Sequence, residues 1–290
     1  MSGVTTQGGL AEGIRRRLGE CSPAERKVGR VLLAAYPSAG FETVARLAER
    51  AGVSGPTVVR FVNRLGFRGF PDFQQALREE LAERTASPVE LYTAALVDGA
   101  DAARVLAAAG EVAVEAVRRT FAALPPHDLA QAVAMLADPG RRVHLTGGRF
   151  SYLLARYLFQ HLAQLRDGVF ELPQRAAPRA SSVTGIGGKD VLVIFDHRRY
   201  EEASLALAAY AKKRHAKIVL FTDSFLSPIA ASADVVLPGD TGSGASPYDA
   251  MTPTLAVVEA VVAGVVATLG EAAHVRMART EQVATELSLY

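Results

Sequence analysis

Four polar side chains in this sequence have the chemistry and the spacing of a surface that reads nucleic acid. They fall within one short stretch at helical intervals: Thr57, Arg60, Asn63 and Arg64. On a helix that enters the major groove, Arg and Asn donate bidentate hydrogen bonds to base edges, and Thr and Arg also bind phosphates. The alternative is the solvated face of an ordinary helical bundle, which often carries Arg as well.

The elements that would position these side chains are two short helices joined at a tight corner. Residues 44–65 contain two helical patterns separated by a turn around Gly52. Gly52 accepts the positive φ that such a corner needs, Ala48 lets the helices approach closely, and Val58 packs the second helix on the first. Ser54 is predicted to cap the second helix. The spacing is typical of a helix-turn-helix unit.

Positive charge is concentrated in the same region. The formal net charge of the whole chain is only +2, whereas residues 1–84 contain 13 Lys and Arg against nine Asp and Glu, a net charge of +4. An electrostatic footprint on a polyanion is therefore expected at this end. The candidate DNA-binding residues are Ser54, Thr57, Arg60, Asn63, Arg64 and Arg68.

The C-terminal half alternates apolar runs with helical patterns. The predicted strands are 143–146, 191–195, 217–221 and 234–237, and the predicted helices are 150–165 and 200–214. Strands that are apolar throughout and alternate with helices indicate a parallel sheet covered on both faces. Ligands of such sheets bind beyond the carboxyl ends of the strands.

The predicted fold is an all-α helix-turn-helix domain followed by an α/β domain whose parallel sheet is flanked by helices. A length of 290 residues suits two domains. The predicted boundaries are 8–84 for the helix-turn-helix domain, 85–138 for a helical connector, 139–270 for the α/β domain and 271–290 for a C-terminal helix.

Short motifs across residues 10–84 together indicate a known family. They are Gly52-Val53-Ser54, Thr57-Val58-Val59-Arg60-Phe61, Leu65-Gly66-Phe67, Gly69-Phe70 and Asp72-Phe73. This set resembles the helix-turn-helix domain of the RpiR family of bacterial transcription regulators. Members of that family carry a C-terminal sugar isomerase (SIS) domain, a parallel α/β fold that binds phosphosugars. The resemblance implies a regulator that binds double-stranded DNA and senses a small anionic effector such as a phosphosugar or sugar acid. A homodimer or homotetramer on an inverted repeat is expected, because one short recognition helix touches too few base pairs for useful specificity.

The resemblance also implies two effector-binding loops, and both depart from the family pattern. The Gly-x-Gly-x-Ser loop after the first strand corresponds to 147–151, where Arg149 replaces the second Gly. The hydroxyl-rich second loop corresponds to 195–202, where only the last residue, a Glu, matches. Arg198 and Arg199 in this second loop offer charge-assisted bonds to phosphate or carboxylate. The candidate effector-binding residues are Gly147, Gly148, Arg149, Ser151, Arg198, Arg199 and Thr222.

Two other functions fit the same residues. The chain could be a phosphosugar isomerase with a DNA-binding appendage, although the eroded second loop argues against an enzyme. It could also be a ligand-independent regulator whose SIS-like domain serves only for dimerisation. In that case Arg198 and Arg199 would form interface salt bridges or exposed charge, and Gly147 and Gly148 would only make a tight turn.

The sequence gives little support for a metal site, a cofactor, acid–base catalysis or a membrane segment. Six His and the single Cys21 have no metal-ligand spacing, so neither a metal nor a cofactor is expected. Acid–base catalysis by Asp196 and His197 is disfavoured, because an Asp at a helix start more often caps the helix. The sequence has no secretory signal pattern, and Glu259 interrupts the apolar run 254–270. These observations predict a cytoplasmic protein.

Overall fold

The computed structural model describes residues 9–85, 87, 89–90, 102–241 and 246–289. The chain forms two compact units, one of residues 1–87 with 224–226 and one of residues 88–223 with 227–290. Each unit contains its own hydrophobic core.

The described part of the N-terminal unit contains five α-helices. They are α1 (Leu10–Arg17), α2 (Pro23–Ala34), α3 (Val44–Ala51), α4 (Gly55–Arg64) and α5 (Phe70–Thr85). A capping box starts α2: the Ser22 hydroxyl accepts the Glu25 N–H at 3.3 Å, and the Glu25 carboxylate accepts the Ser22 N–H at 2.8 Å. Two orphan donors at the helix start are thereby satisfied.

The predicted helix-turn-helix is formed by α3 and α4. Gly52 ends α3 in the left-handed region with φ 61°, which costs a glycine little because it lacks a Cβ. Leu47, Val58 and Phe61 are fully buried in the core. The prediction that the Ser54 side chain caps α4 is wrong, because its hydroxyl lies 3.0 Å from Thr57 Oγ1 and makes no bond to the backbone of the helix.

The described part of the C-terminal unit contains seven α-helices with defined bounds and five strands. The helices are α6 (Ala102–Ala123), α7 (Pro126–Ala137), α8 (Tyr152–Leu165), α9 (Ala176–Val183), α10 (Glu202–Lys213), α11 (Thr252–Leu269) and α12 (Glu271–Glu286). The strands are β1 (Arg142–Gly147), β2 (Val169–Glu171), β3 (Asp190–Phe195), β4 (Lys217–Asp223) and β5 (Val235–Gly239). Of the predicted connector, residues 86, 88 and 91–101 lie outside the described residues.

The five strands form one parallel sheet in the order β2-β1-β3-β4-β5. This confirms the predicted parallel α/β architecture. Alternate residues of β3 face opposite sides: Val193 and Phe195 join one apolar cluster, and Leu192 and Ile194 join the other. Because both faces are covered, β3 is buried along its whole length. Its end lies between those of β1 and β4, and their loops share one edge.

One helix among the described residues, α11, is long and apolar enough to cross a membrane by length and composition alone. In this fold its residues Val257, Val258, Val261 and Val265 are fully buried in the core that covers the sheet. The apolar composition of α11 therefore has a structural use inside the C-terminal unit.

Candidate functional site

The face of α4 that points away from the core carries three of the predicted DNA-binding residues. Arg60, Asn63 and Arg64 are exposed, and they lie on one side because positions three and four apart are neighbours on a helix. Phe61 and Val62 on the opposite side are fully buried. The core therefore holds the backbone of this helix in place while its polar face stays open to solvent.

Thr57 differs from these three because it is only 5% exposed. Its hydroxyl accepts a hydrogen bond from Arg60 Nη2 at 2.9 Å and lies 3.0 Å from the Ser54 hydroxyl. The Thr57 hydroxyl thus orients the Arg60 guanidinium. Its place in the sequence had instead predicted a side chain exposed for contact with DNA. Ser54 is exposed at the start of the same helix.

The other two arginines of the predicted set have acidic partners. Arg64 Nε donates to Glu25 Oε1 at 3.4 Å. Hydrogen bonding from the Ser22 backbone, together with the nearby Arg64, lowers the pKa of the Glu25 carboxyl, so this anion persists at neutral pH. Arg68, with a side chain 90% exposed, bonds to Asp72 at 3.0 Å. Exposed pairs of this kind contribute little to stability, so Arg68 can exchange its partner for a phosphate at small cost.

In the C-terminal unit, the loop after β1 is a tight strand-to-helix turn. A Cβ at Gly147 would lie 2.7 Å from the Tyr152 backbone nitrogen, so no larger residue fits there without movement of the backbone. The Ser151 hydroxyl accepts the Gly148 N–H at 3.1 Å and donates to the Phe195 carbonyl at 2.8 Å. Ser151 therefore fastens this loop to the end of the neighbouring strand β3.

A carboxylate of the second loop sits against the first loop. Glu201 Oε1 accepts the Arg149 N–H at 3.0 Å. The same oxygen would lie 3.2 Å from a Cβ placed on Gly148. The Arg149 guanidinium stacks 5.1 Å above the ring centroid of Phe150. The backbone donor of the β1 loop is thus already bonded to an anion of the chain itself.

Arg198 is held at both its backbone and its side chain. Its guanidinium bonds to both carboxylate oxygens of Asp249, with Nε donating to Oδ2 at 3.1 Å and Nη2 to Oδ1. Its backbone N–H donates to Asp223 Oδ2 at 2.6 Å, and Tyr200 Oη donates to Asp223 Oδ1 at 2.8 Å. Fully buried Asp223 therefore anchors the loop after β3 to the end of β4.

Arg199 and Thr222 lie in contrasting surroundings. Arg199 is exposed and adopts φ 68°, a left-handed conformation that is uncommon for a residue other than glycine. Thr222 is fully buried, and its hydroxyl accepts the Ser227 N–H at 3.0 Å. Arg199 thus points its charge toward solvent, whereas the Thr222 hydroxyl is used inside the fold.

Two buried titratable residues follow β3. Asp196 accepts the Ser227 hydroxyl at 2.5 Å and the Glu201 N–H at 3.3 Å. Burial raises the pKa of the Asp196 carboxyl to about 6. His197 Nε2 lies 3.0 Å from Thr254 Oγ1, and burial lowers the pKa of its imidazole. Asp196 and His197 thus bond to different neighbours within the fold.

Sequence reasoning gave no role in the site to the carboxylates that line this edge of the sheet. They are Asp196 as a buried anchor, Glu201, Asp223 and Asp249. Glu201 could have been noticed, since it precedes the one residue of the second loop that matches the family. Nothing in the local sequence marks Asp249, because its partner Arg198 lies 51 residues earlier. The described residues contain no group of three or more His, Cys, Asp or Glu that could hold a metal ion.

Comparison with known families accounts for both units. Residues 8–84 match the family described as "Helix-turn-helix domain, rpiR family", and residues 135–264 match the SIS domain. The chain is 27% identical over 256 residues to the transcriptional regulator HexR of Escherichia coli K12, covering 85% of this chain and 83% of that protein. It is 29% identical over 242 residues to HexR of Pseudomonas aeruginosa, covering 80% of each.

Two solved structures share the fold. The Vibrio vulnificus NanR protein complexed with ManNAc-6P covers 96% of this chain and 99% of its own, with 19% identity and a TM-score of 0.55. The sugar isomerase domain of an RpiR transcription factor from Sphaerobacter thermophilus covers 59% of this chain and 94% of its own, with 24% identity and a TM-score of 0.54.

Proposed function

The chain belongs to the RpiR family of transcription regulators, and from that premise we propose that its SIS domain senses a small anionic metabolite, a phosphosugar or a sugar acid, and thereby controls DNA binding. The observation that carries the proposal is the union of two parts in one chain. A basic helix, α4, is exposed on a helix-turn-helix. A parallel sheet in the second unit gathers Arg149, Arg198 and Arg199 in the loops that follow its strands.

DNA recognition is assigned to the exposed face of α4. Arg60 and Asn63 have the donor geometry for guanine and adenine edges, and Thr57 holds the guanidinium of Arg60 in place. Arg64, Arg68 and Ser54 are assigned to the phosphate backbone, since contacts of this kind fix the register of a protein on DNA. The Glu25–Arg64 pair tethers the end of α4 to α2.

Effector recognition is assigned to the loops after β1, β3 and β4. The proposed contacts are Gly147, Gly148, Arg149, Arg198 and Arg199. Ser151 and Thr222, predicted as contacts from the sequence, are proposed instead to support these loops, because both are buried and their hydroxyls are already bonded within the fold. Arginines in place of hydroxyls favour a ligand that carries phosphate or carboxylate, because charge-assisted bonds are about twice as strong as neutral ones. The NanR structure, described as a complex with the sugar phosphate ManNAc-6P, supports this ligand class. An effector shifts DNA affinity only if it binds the two arrangements of the protein unequally.

Substitution of the two loop arginines tests the sensor. Arg198→Ala and Arg199→Ala should each lose the effector-induced change in DNA affinity while keeping the affinity measured without effector, since α4 lies in the other unit. The effector is first found by thermal shift against phosphosugars and sugar acids, and DNA affinity is then measured by fluorescence anisotropy. Variants that respond as the parent does would reassign these arginines to an interface or to the exposed surface.

A two-fold symmetric dimer or tetramer is proposed as the DNA-binding form. One short recognition helix reads too few base pairs for useful specificity, and two half-sites one helical turn apart remedy this. DNA selected from a random pool should therefore be an inverted repeat with its half-site centres about 10 base pairs apart. Light scattering at micromolar concentration should give at least a dimer. A monomer both with and without DNA would rule out this form.

No reaction is assigned to the chain, and a cytoplasmic location is proposed with the regulatory role. The HexR relatives are named as transcriptional regulators. An isomerase remains the alternative function, and it predicts turnover of the metabolite that gives a thermal shift. A domain used only for dimerisation predicts no thermal shift with any metabolite. Both alternatives are thus tested by the same screen followed by a turnover assay.

A further inference from the structure

We propose that the effector site is closed by the chain's own carboxylates, with Glu201 and Asp249 occupying the donors that an anionic effector must use. This inference rests on the proposed sensor function of the SIS domain. It concerns how the site is gated and what an incoming anion has to displace.

The first internal anion is Glu201. Its carboxylate accepts the Arg149 N–H at 3.0 Å and lies against Gly148. These backbone groups belong to the turn between β1 and α8, where a helix start directs N–H groups at a bound anion. Glu201 comes from the other loop, immediately before α10. It therefore stands where an acceptor oxygen of a ligand would stand, and a ligand gains this donor only if Glu201 leaves.

The second internal anion is Asp249. Its two oxygens meet two nitrogens of the Arg198 guanidinium, and the two side chains are only 19% and 11% exposed. A bidentate pair uses the same guanidinium edge that a phosphate or carboxylate ligand would use. Because the pair is largely withdrawn from water, the Coulomb attraction between its two charges is stronger than in an exposed pair. An effector therefore competes with Asp249 for Arg198.

The remaining charges at this edge reinforce the closure. Asp223 is bonded to the Arg198 backbone and to Tyr200, and Asp196 is bonded to the backbone of Glu201. Both anchors hold the second loop in the position that presents Glu201 to the first loop. Withdrawal of the Glu201 carboxylate from the first loop therefore works against these anchors, which links binding of an anion to a change of shape in the loop before α10.

Gating of this kind weakens the apparent affinity for an anion, because only the fraction of molecules whose donors are free can bind it. Glu201→Ala and Asp249→Ala should each lower the Kd for inorganic phosphate by about tenfold or more, measured on the full chain by isothermal titration calorimetry at constant ionic strength. Arg198→Ala introduced into the Asp249→Ala protein should cancel the gain. Asp167→Ala is the matched control, because Asp167 pairs with Arg276 elsewhere in the same unit.

A Kd for phosphate that is equal in the parent and the two variants, or a gain of the same size in Asp167→Ala, overturns the proposal. So does the absence of measurable phosphate binding in every protein. If an alanine variant does not fold, Glu201→Gln and Asp249→Asn replace it, since they keep the shape and remove the charge. If a phosphosugar changes the DNA affinity of the parent but the variants show no gain in phosphate affinity, the gating proposal is refuted and the sensor function stands. If the variants gain phosphate affinity but no metabolite changes the DNA affinity of the parent, the sensor function is refuted and the gating proposal stands.

Discussion

Replacement of Arg60 by Ala should weaken the binding of operator DNA by about 1 to 3 kcal/mol, roughly five- to 150-fold. Arg60 is exposed on α4, and its guanidinium is oriented by the nearly buried Thr57 hydroxyl at 2.9 Å. An arginine held in this way loses less side-chain entropy on binding than a free one. The measurement is a fluorescence anisotropy titration of the selected operator and of its single-base variants.

The DNA group that Arg60 contacts determines how the loss of affinity in Arg60→Ala depends on the DNA sequence. If Arg60 bonds to a guanine edge, the alanine variant loses discrimination at one base pair; if it bonds to phosphate, all sequences weaken alike and the salt dependence flattens by about one unit of slope. Arg78→Ala is the control, because Arg78 lies on α5 and donates to Gln75 at 3.4 Å on the surface. Equal losses in both variants, or no enriched sequence from randomised DNA, would contradict the assignment of α4.

Replacement of Asp196 by Asn should stabilise the C-terminal unit at pH 8 by up to about 3 kcal/mol. Asp196 is 1% exposed, and burial raises the pKa of its carboxyl to about 6 from an ordinary value of 3.8. The folded protein therefore holds this proton more tightly than the unfolded chain does. The stability that the protonated carboxyl contributes is complete below pH 3.8 and is lost as the pH rises through about 6.

Asn has nearly the same shape as Asp and keeps one oxygen acceptor, its NH2 group replaces the second oxygen, and it carries no charge at any pH. The gain in the unfolding midpoint should consequently be large at pH 8 and small at pH 4, measured by urea unfolding of parent and variant across that range. Asp190 provides a matched control of opposite sign. It too is fully buried, but bonds from Arg142 and His144 outweigh burial and lower the pKa of its carboxyl. Asp190→Asn should therefore destabilise at pH 8, and a midpoint that rises equally for both variants would refute the explanation.

The helix-turn-helix and the parallel sheet could be predicted from sequence because their signals are local. Gly52 marks the corner, Ala48 and Val58 mark the crossing, and the apolar runs of β3, β4 and β5 are continuous. The edge strand β2 was missed because it has only three residues, Val169–Glu171, none of them fully buried. A strand that short has no period to detect, and it forms only because β1 offers an open edge for pairing.

Sequence by itself thus determined the helix-turn-helix and the parallel α/β fold of this protein, the helix proposed to face DNA and the segments that supply the loops of the proposed sensor. Only the tertiary structure decided which charges those loops present. Arg198 and Asp249 are 51 residues apart, and the Arg149 backbone and Glu201 are 52 apart. In the sequence, an arginine in such a loop resembles an open anion site, but the fold brings carboxylates to these loops from distant segments of the chain. Burial by the fold likewise raises the pKa of the Asp196 carboxyl, because the energy of a charge depends on its distance from water and from other charges.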